Sequence, residues 1–429
     1  MLRRIDLRGF DGDLSDVLPR PSTPSGGPVD VVREILADVE SRGDAAVLDY
    51  TERFDGVRLE SLLVSSDEIA AAVGRVEPEV RAALELAAER VADYHGAQMP
   101  ADVVVEQPGM SIRGLHRAVE RAACYVPGGR AVYPSTVLMT VVPARVAGVE
   151  QIVVCVPPGP DGRVPDVVLA AASIAGATQV VGVGGAQAIA AVAFGTETIR
   201  PVDVIVGPGN VFVALAKQEV AGRVGVPSSF AGPSEVVVIA DGTDPVDYAA
   251  VDVILQAEHG PDGLAWLVTW NADVADSVTA SIERLVADAP RRAEIESTLE
   301  SSGVVVVTDG PEQAMAVSNF IAPEHLELQT DDNEALIALV RNAGAVFAGS
   351  HAPASLGDYA AGPSHVLPTN GTARFASALT VHDFMKDLHI VTVEPEGLEA
   401  LGDAVEVLAG AEGLDAHAAS IRLRRGATR

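Results

Sequence analysis

Gln179-Val180-Val181-Gly182-Val183-Gly184-Gly185-Ala186-Gln187 decides the fold class. A short β-branched run meets a glycine turn and passes directly into an Ala-rich stretch, the pattern of buried strand, tight turn and helix. Runs of the same kind flank it, Gln151 to Val156 before and Val202 to Val206 after, with helical stretches from Asp166, from Ala186, and from Gly209 to Val220. Such alternation makes a βαβαβ unit with a parallel sheet. At Gly184-Gly185 the backbone N–H groups and the helix dipole suit a pyrophosphate, although Gln187 stands where the dinucleotide fingerprint has its third glycine. Gly207-Pro208-Gly209-Asn210 repeats the arrangement one unit later. Either alone is equally a tight βα turn; two in succession at strand C-termini favour a ligand crevice there.

Outward from this unit the pattern recurs. Strands are expected at Glu235–Ala240, Ala265–Thr269, Val304–Val307, His325–Leu328 and Ala345–Phe347. Helices are expected at Asp244–Glu258, Ala272–Val286, Gln313–Phe320 and Asn333–Arg341. Two doubly wound α/β layers follow. Toward the N-terminus, Val29 to about Ala101 reads as helices, with Val31, Ile35, Val39 and then Val80, Leu84, Ala87, Val91 at helical spacing and Arg58–Val64 as a strand. Tyr125 to Thr136, broken by glycine pairs and prolines, reads as a functional loop. The tail from Thr380 reads as helical with one strand, Ile390–Val393.

A chain of 429 residues that is 48% hydrophobic exceeds one small core and has ample material for two or more. Its net charge of −30, from 60 acidic and 30 basic residues, makes nucleic acid and anionic membrane poor partners. Nearly all basic residues are arginine; Lys217 and Lys386 are the only lysines, which fits compositional bias better than a binding role. Cys124 and Cys155 form no paired motif, no apolar run reaches a membrane span, and no signal-peptide core follows Met1, so a cytoplasmic protein is expected.

Four islands of ligand-type residues interrupt the C-terminal half: Gln256-Ala257-Glu258-His259, Pro323-Glu324-His325-Leu326-Glu327, Gly357 to His365 around Asp358, and Glu412-Gly413-Leu414-Asp415-Ala416-His417. Imidazole, carboxylate and carboxamide groups are what a catalytic zinc and a proton-transfer pair require. Gln256 and His259, three apart at a helix end, project from one face and suit one metal; a His stabilising its helix C-terminus is the plainer alternative. Glu324 and His325 stand at a strand entry, where both can border a cleft. The plainer alternative there is a solvated Glu and a core His. His95, His116, His351, His382 and His389 lack such company and read as structural or surface residues.

Together with Tyr125-Val126-Pro127-Gly128-Gly129, Gly184 to Ala190, Gly232-Pro233-Ser234-Glu235 and Gly362 to Thr369, the islands resemble the histidinol dehydrogenase family over nearly the whole chain. The resemblance implies NAD-dependent four-electron oxidation of L-histidinol to L-histidine through L-histidinaldehyde. It further implies a Zn2+ that positions substrate, held by Gln256, His259, Asp358 and His417. His325 would be the general base and Glu324 the water-activating carboxylate. Tyr125, Gln187 and Asn210 fall on the NAD side. Ser234 and Glu412 contact substrate alongside Gln256, His259, His325, Asp358 and His417. His365 receives no role.

The family fold implied is two related doubly wound, Rossmann-like α/β domains, one inserted in the other, with small N- and C-terminal segments. The boundaries expected are 1–24, then 25–124 with 236–379 around an inserted 125–235, and a helical 380–429. That last segment, with Glu412 and His417, would reach the partner of a homodimer and complete its site. Two rivals remain, an enzyme of the same fold acting on another polar alcohol and a non-catalytic zinc- and nucleotide-binding module. The paired Glu324 and His325 argue against both.

Overall fold

The computed structural model describes residues 2–19, 27–129, 131–228, 232, 234–258 and 263–426. In chain order the elements begin with β1 (Arg3–Asp6), α1 (Val29–Arg42), α2 (Asp44–Asp55), β2 (Leu63–Val64), α3 (Ser66–Ala72), α4 (Pro78–Ala97), β3 (Val103–Gln107), β4 (Met110–Ala118) and β5 (Arg121–Tyr125). There follow α5 (Pro134–Ala147), β6 (Gln151–Cys155), α6 (Asp166–Ala175), β7 (Gln179–Val181), α7 (Gly185–Phe194), β8 (Val204–Val206) and α8 (Val211–Val220). The second series is β9 (Glu235–Ala240), α9 (Val246–Ala257), β10 (Leu264–Thr269), α10 (Ala272–Ala287), α11 (Arg292–Ser302), β11 (Gly303–Val307), α12 (Pro311–Ile321), β12 (His325–Gln329), α13 (Asn333–Ile337), β13 (Ala345–Ala348) and α14 (Ala354–Tyr359). The chain closes with β14 (Met385–Val393), α15 (Pro395–Ala411) and α16 (Asp415–Gly426).

Two sheets dominate. One has the order β1-β11-β10-β9-β12-β13, all parallel, and the other β2-β7-β6-β5-β8, parallel except for β2. In each, the first strand of its series lies inside, the next two extend to one side and the fourth returns to the other, the doubly wound pattern. The inner strands are buried on both faces, as β9 shows with every residue from Glu235 to Ala240 buried. Each fully buried Val, Leu or Ile contributes about 1.5–3 kcal/mol relative to exposure.

Several elements differ from the sequence expectation. β1, from the short leader, adds a parallel edge to the six-stranded sheet beside β11. Helices α1 to α4, expected to share a domain with 236–379, pack on the five-stranded sheet. α1 and α2 pack with α7 and α8 over one face, and α3 and α4 with α5 and α6 over the other. β2 and β5 hydrogen-bond into that same sheet. The strand expected at Arg58–Val64 is only Leu63–Val64, and Tyr125, expected in a loop, ends β5. The helix from Asn333 stops at Ile337, and α11 was not foreseen.

A third sheet, antiparallel β14-β4-β3, was also unforeseen, with β14 starting five residues before the expected Ile390. Pro108-Gly109 turns β3 into β4, with Gly109 at φ +66° and so close to α15 that a Cβ would lie 2.3 Å from the Gly397 nitrogen. α15 packs on α16 and against β14, so the C-terminal segment closes as a helical hairpin. No described helix is long and apolar enough to cross a membrane.

Candidate active site

β9 and β12 are neighbours in register, so their first residues meet at the amino edge of the six-stranded sheet: His325 pairs with Val236. Ser234, Glu235, Glu324 and His325 therefore gather where both strands begin. α9 runs back antiparallel to β9 and returns its C-terminal end, with Gln256, to that same edge. α14, after β13, brings Asp358. On the five-stranded sheet, by contrast, Tyr125, Gln187 and Asn210 stand at or just after the C-terminal ends of β5, β7 and β8.

His325 is 5% exposed. Its Nδ1 donates to the Glu235 carbonyl at 3.2 Å, which leaves Nε2 as the basic nitrogen of the neutral ring. Nε2 has no hydrogen-bond partner among the described residues and stands 3.7 Å from Asp358 Oδ1, while Nδ1 is 3.8 Å from Glu324 Oε2. Phe347 of β13 flanks the ring at 5.9 Å between centroids. Burial pushes the imidazole pKa down, but the Glu324 and Asp358 carboxylates outweigh it and raise it to about 9. That lies well above the ordinary imidazole value of 6.5 because of those two carboxylates.

Glu324 is buried, and its Oε2 accepts from the Glu235 amide at 3.1 Å. Burial raises its pKa; the His325 charge, the Glu235 amide and the Ser234 hydroxyl oppose the rise. Ser234 is thereby beside Glu324. Glu235, 1% exposed, is a buried acid that sequence reasoning passed over although its Gly-Pro-Ser-Glu motif was noticed. Burial and then the Glu324 charge raise it to about 8.

Gln256 is 1% exposed and its Nε2 has no partner among the described residues. Because amide oxygen and nitrogen are interchangeable by a flip, that buried orphan is equally an unclaimed acceptor, which fits a cation. Asp358 adds a carboxylate beside His325. His259 lies outside the described residues. Glu412 and His417, at the α15–α16 junction and on α16, are exposed on the C-terminal hairpin. Among the described residues no three His, Cys, Asp or Glu gather as a metal cluster. The carboxamide and carboxylate present nonetheless match half of a mixed oxygen and nitrogen zinc set.

On the facing edge, the Tyr125 hydroxyl accepts from the Gly185 amide at 3.0 Å, tying the end of β5 to the start of α7, and burial raises its pKa to about 12. Gln187 is buried, with no partner for Oε1 among the described residues. Asn210 caps α8, its Oδ1 accepting from Phe212 and Val213 amides at 3.1 Å. Gly207, at φ +102°, approaches Tyr125 so closely that a Cβ would lie 2.1 Å from the Tyr125 carbonyl oxygen. Lys217, read from sequence as compositional bias, is buried and donates to the Gly207 carbonyl at 2.9 Å, holding this turn. Its rarity was the only signal. Burial lowers its pKa to about 8.

His365 joins the two edges: one ring nitrogen lies 3.1 Å from Thr136 Oγ1 on α5 and the other 2.9 Å from the Asp358 carbonyl oxygen. Of the isolated histidines, His95 is buried in α4 and His116 pairs with Asp387 at 2.7 Å.

A family model described as histidinol dehydrogenase matches residues 19–425. The histidinol dehydrogenase of Hydrogenovibrio crunogenus is 45% identical to this chain, over 97% of this chain and 96% of its own length. That of Synechococcus sp. is 48% identical, over 92% and 91%. A solved structure of histidinol dehydrogenase from Elizabethkingia anophelis is 34% identical, with a TM-score of 0.94 over 100% of this chain and 98% of that one.

Proposed function

The chain belongs to the histidinol dehydrogenase family, and from that premise we propose that it carries out the NAD-dependent four-electron oxidation of L-histidinol to L-histidine through L-histidinaldehyde. The observation that carries the reading is the buried His325, 3.8 Å from Glu324 and 3.7 Å from Asp358. A buried imidazole flanked by two carboxylates is a proton acceptor with a partner for its charged form.

In the first oxidation His325 Nε2 takes the hydroxyl proton as the carbinol carbon loses hydride. The Nδ1 hydrogen bond to the Glu235 carbonyl keeps the ring in the tautomer that can accept it. In the second, Glu324 takes a proton from water as the water adds to the aldehyde; the hydrate then loses its second hydride and becomes a carboxylate. Ser234, beside Glu324, orients the substrate. NAD, bound on the side of Tyr125, Gln187 and Asn210, supplies the hydride acceptor for each step. One alcohol, one water and two NAD+ give one carboxylate, two NADH and three protons.

Gln256, His259 and Asp358, with His417 of the partner subunit, would hold the Zn2+. When bound, it supplies a positive charge that orients the substrate's imidazole and amino nitrogens and offsets the Asp358 carboxylate beside His325. The exposure of His417 and Glu412 on the C-terminal hairpin supports a homodimer in which each hairpin completes the neighbour's site. Cys124 and Cys155 are free and buried, in keeping with a cytoplasmic enzyme.

The deciding experiment counts NADH formed per L-histidinol consumed by zinc-loaded protein, with the product identified by chromatography and a chelated control. About two NADH per substrate, histidine as product and loss on chelation are expected. No turnover from folded, zinc-loaded dimer would overturn the substrate assignment.

A further inference from the structure

Beneath the site lie three buried polar side chains that the chemistry above does not use: Asp252, Glu327 and Gln329, 5%, 1% and 4% exposed. Glu327 and Gln329 follow His325 on β12 at intervals of two, so all three share one face of the strand. Asp252 precedes Gln256 by four residues on α9, so these two share one face of the helix. Gln329 Nε2 donates to Asp252 Oδ2 at 2.7 Å, and Glu327 Oε1 accepts from the Ala354 amide at 3.0 Å.

Ala354 is the first residue of α14, and Pro353 before it provides no side-chain cap. A six-residue helix does not hold its shape unaided, so its seat is set by what anchors it. Burial raises the pKa of both acids, and the charge of Asp252 raises Glu327 further. Two acids in a core are less stable than an apolar pair of the same volume, and packing alone does not account for them.

We propose that Glu327 is a positioning residue of the active site. Its carboxyl ties α14 to β12 through Ala354, and Gln329, two residues on, ties β12 to α9 through Asp252. Asp358, His325 and Gln256, one from each element, thereby keep fixed separations. The roles of those three residues rest on the function proposed above; the anchoring of α14 does not.

The test compares Glu327→Leu with Glu327→Gln in the full-length protein. Hydrogen exchange is followed across residues 349–361, Zn2+ affinity is measured by competition with a chromogenic chelator, and kcat and KM are measured for L-histidinol. In the Glu327→Leu variant the α14 amides should exchange about tenfold faster or more, and Zn2+ affinity should fall about 10- to 100-fold, the range for loss of a group that orients a metal ligand. Glu327→Gln keeps a carbonyl oxygen for the Ala354 amide and should restore both. A folded Glu327→Leu variant with unchanged exchange and zinc affinity overturns the proposal, as does a Glu327→Gln variant no better than Glu327→Leu. Wild-type protein alone supplies a further check should Glu327→Leu not fold. Its Ala354 amide must be a slow exchanger, and exchange at the rate of an exposed loop overturns the anchoring. Exchange requires neither zinc nor histidinol, so a wild-type protein inactive on histidinol would count against the function and not against Glu327.

Discussion

The Nε2 atom of His325 stands 3.7 Å from Oδ1 of Asp358, too far for a hydrogen bond and close enough for each to set the other's charge. The two groups come from β12 and α14, and their separation leaves Nε2 free to meet a substrate hydroxyl. The catalytic expectations follow from this gap and from its continuation through His325 to Glu324.

Replacing His325 by alanine removes the proton acceptor and none of the proposed zinc ligands. Turnover of L-histidinol should fall by about 10²–10⁴, the usual worth of a positioned base. Bound zinc per protomer, measured by atomic absorption, should stay at the wild-type level. Parallel loss of zinc and activity would make His325 a structural residue.

Glu324→Gln should separate the two oxidations. The first hydride transfer does not need a water-activating carboxylate, so a pre-steady-state burst of NADH should persist while steady-state histidine production falls by about 10²-fold or more. Stopped-flow absorbance with a carbonyl trap for the aldehyde measures both. Loss of the burst would move Glu324 into the first step.

Asn210→Ala should act on stability first. Its side chain accepts from two amides at the start of α8, and loss of such a cap costs about 1 kcal/mol. Urea unfolding should report that loss, and the KM for NAD should rise in addition if Asn210 also touches the nucleotide. A lower stability with unchanged KM would reduce Asn210 to a cap.

Stability should decline with alkalinity in a defined window. Glu235 has its pKa raised from 4.5 to about 8 by burial and by Glu324. Between those values the folded state keeps a proton that the unfolded state has released, so stability falls as pH rises through the window and levels off above it. His325, raised to about 9, acts in the same direction. Glu235→Gln should flatten the decline in melting temperature between pH 6 and pH 8, measured by scanning calorimetry. An unchanged slope would mean that Glu235 is already ionised in the folded protein.

Local pattern sufficed for much of the fold. Strand and helix alternation from Gln151 to Val220 and from Glu235 to Ala348 appears nearly as expected, because buried parallel strands are continuous β-branched runs and glycine turns mark their ends. The β3–β4 hairpin and its pairing with β14 were missed. The β3–β4 hairpin is local, but β3 is exposed along its length and carries no buried-strand pattern. The β4–β14 pairing joins residues more than 260 apart, such as Ile112 and Val391, and no window of sequence contains both partners. The grouping of α1 to α4 with the five-stranded sheet was missed for the same reason, since an apolar helix face does not say which sheet it covers.

What the sequence by itself determined was the inventory: two wound sheets, the glycine turns, and the chemical types at Gln256, Glu324, His325 and Asp358. Only the tertiary structure decided that β9 and β12 lie side by side, so that Ser234, Glu235, Glu324 and His325 meet at the amino edge of their sheet. It also decided that the Glu327 carboxylate meets the Ala354 amide beneath them. Residue type and helix or strand period are local properties of the chain. Register between distant strands, and the burial that shifts a carboxyl's pKa, exist only after the chain has closed on itself.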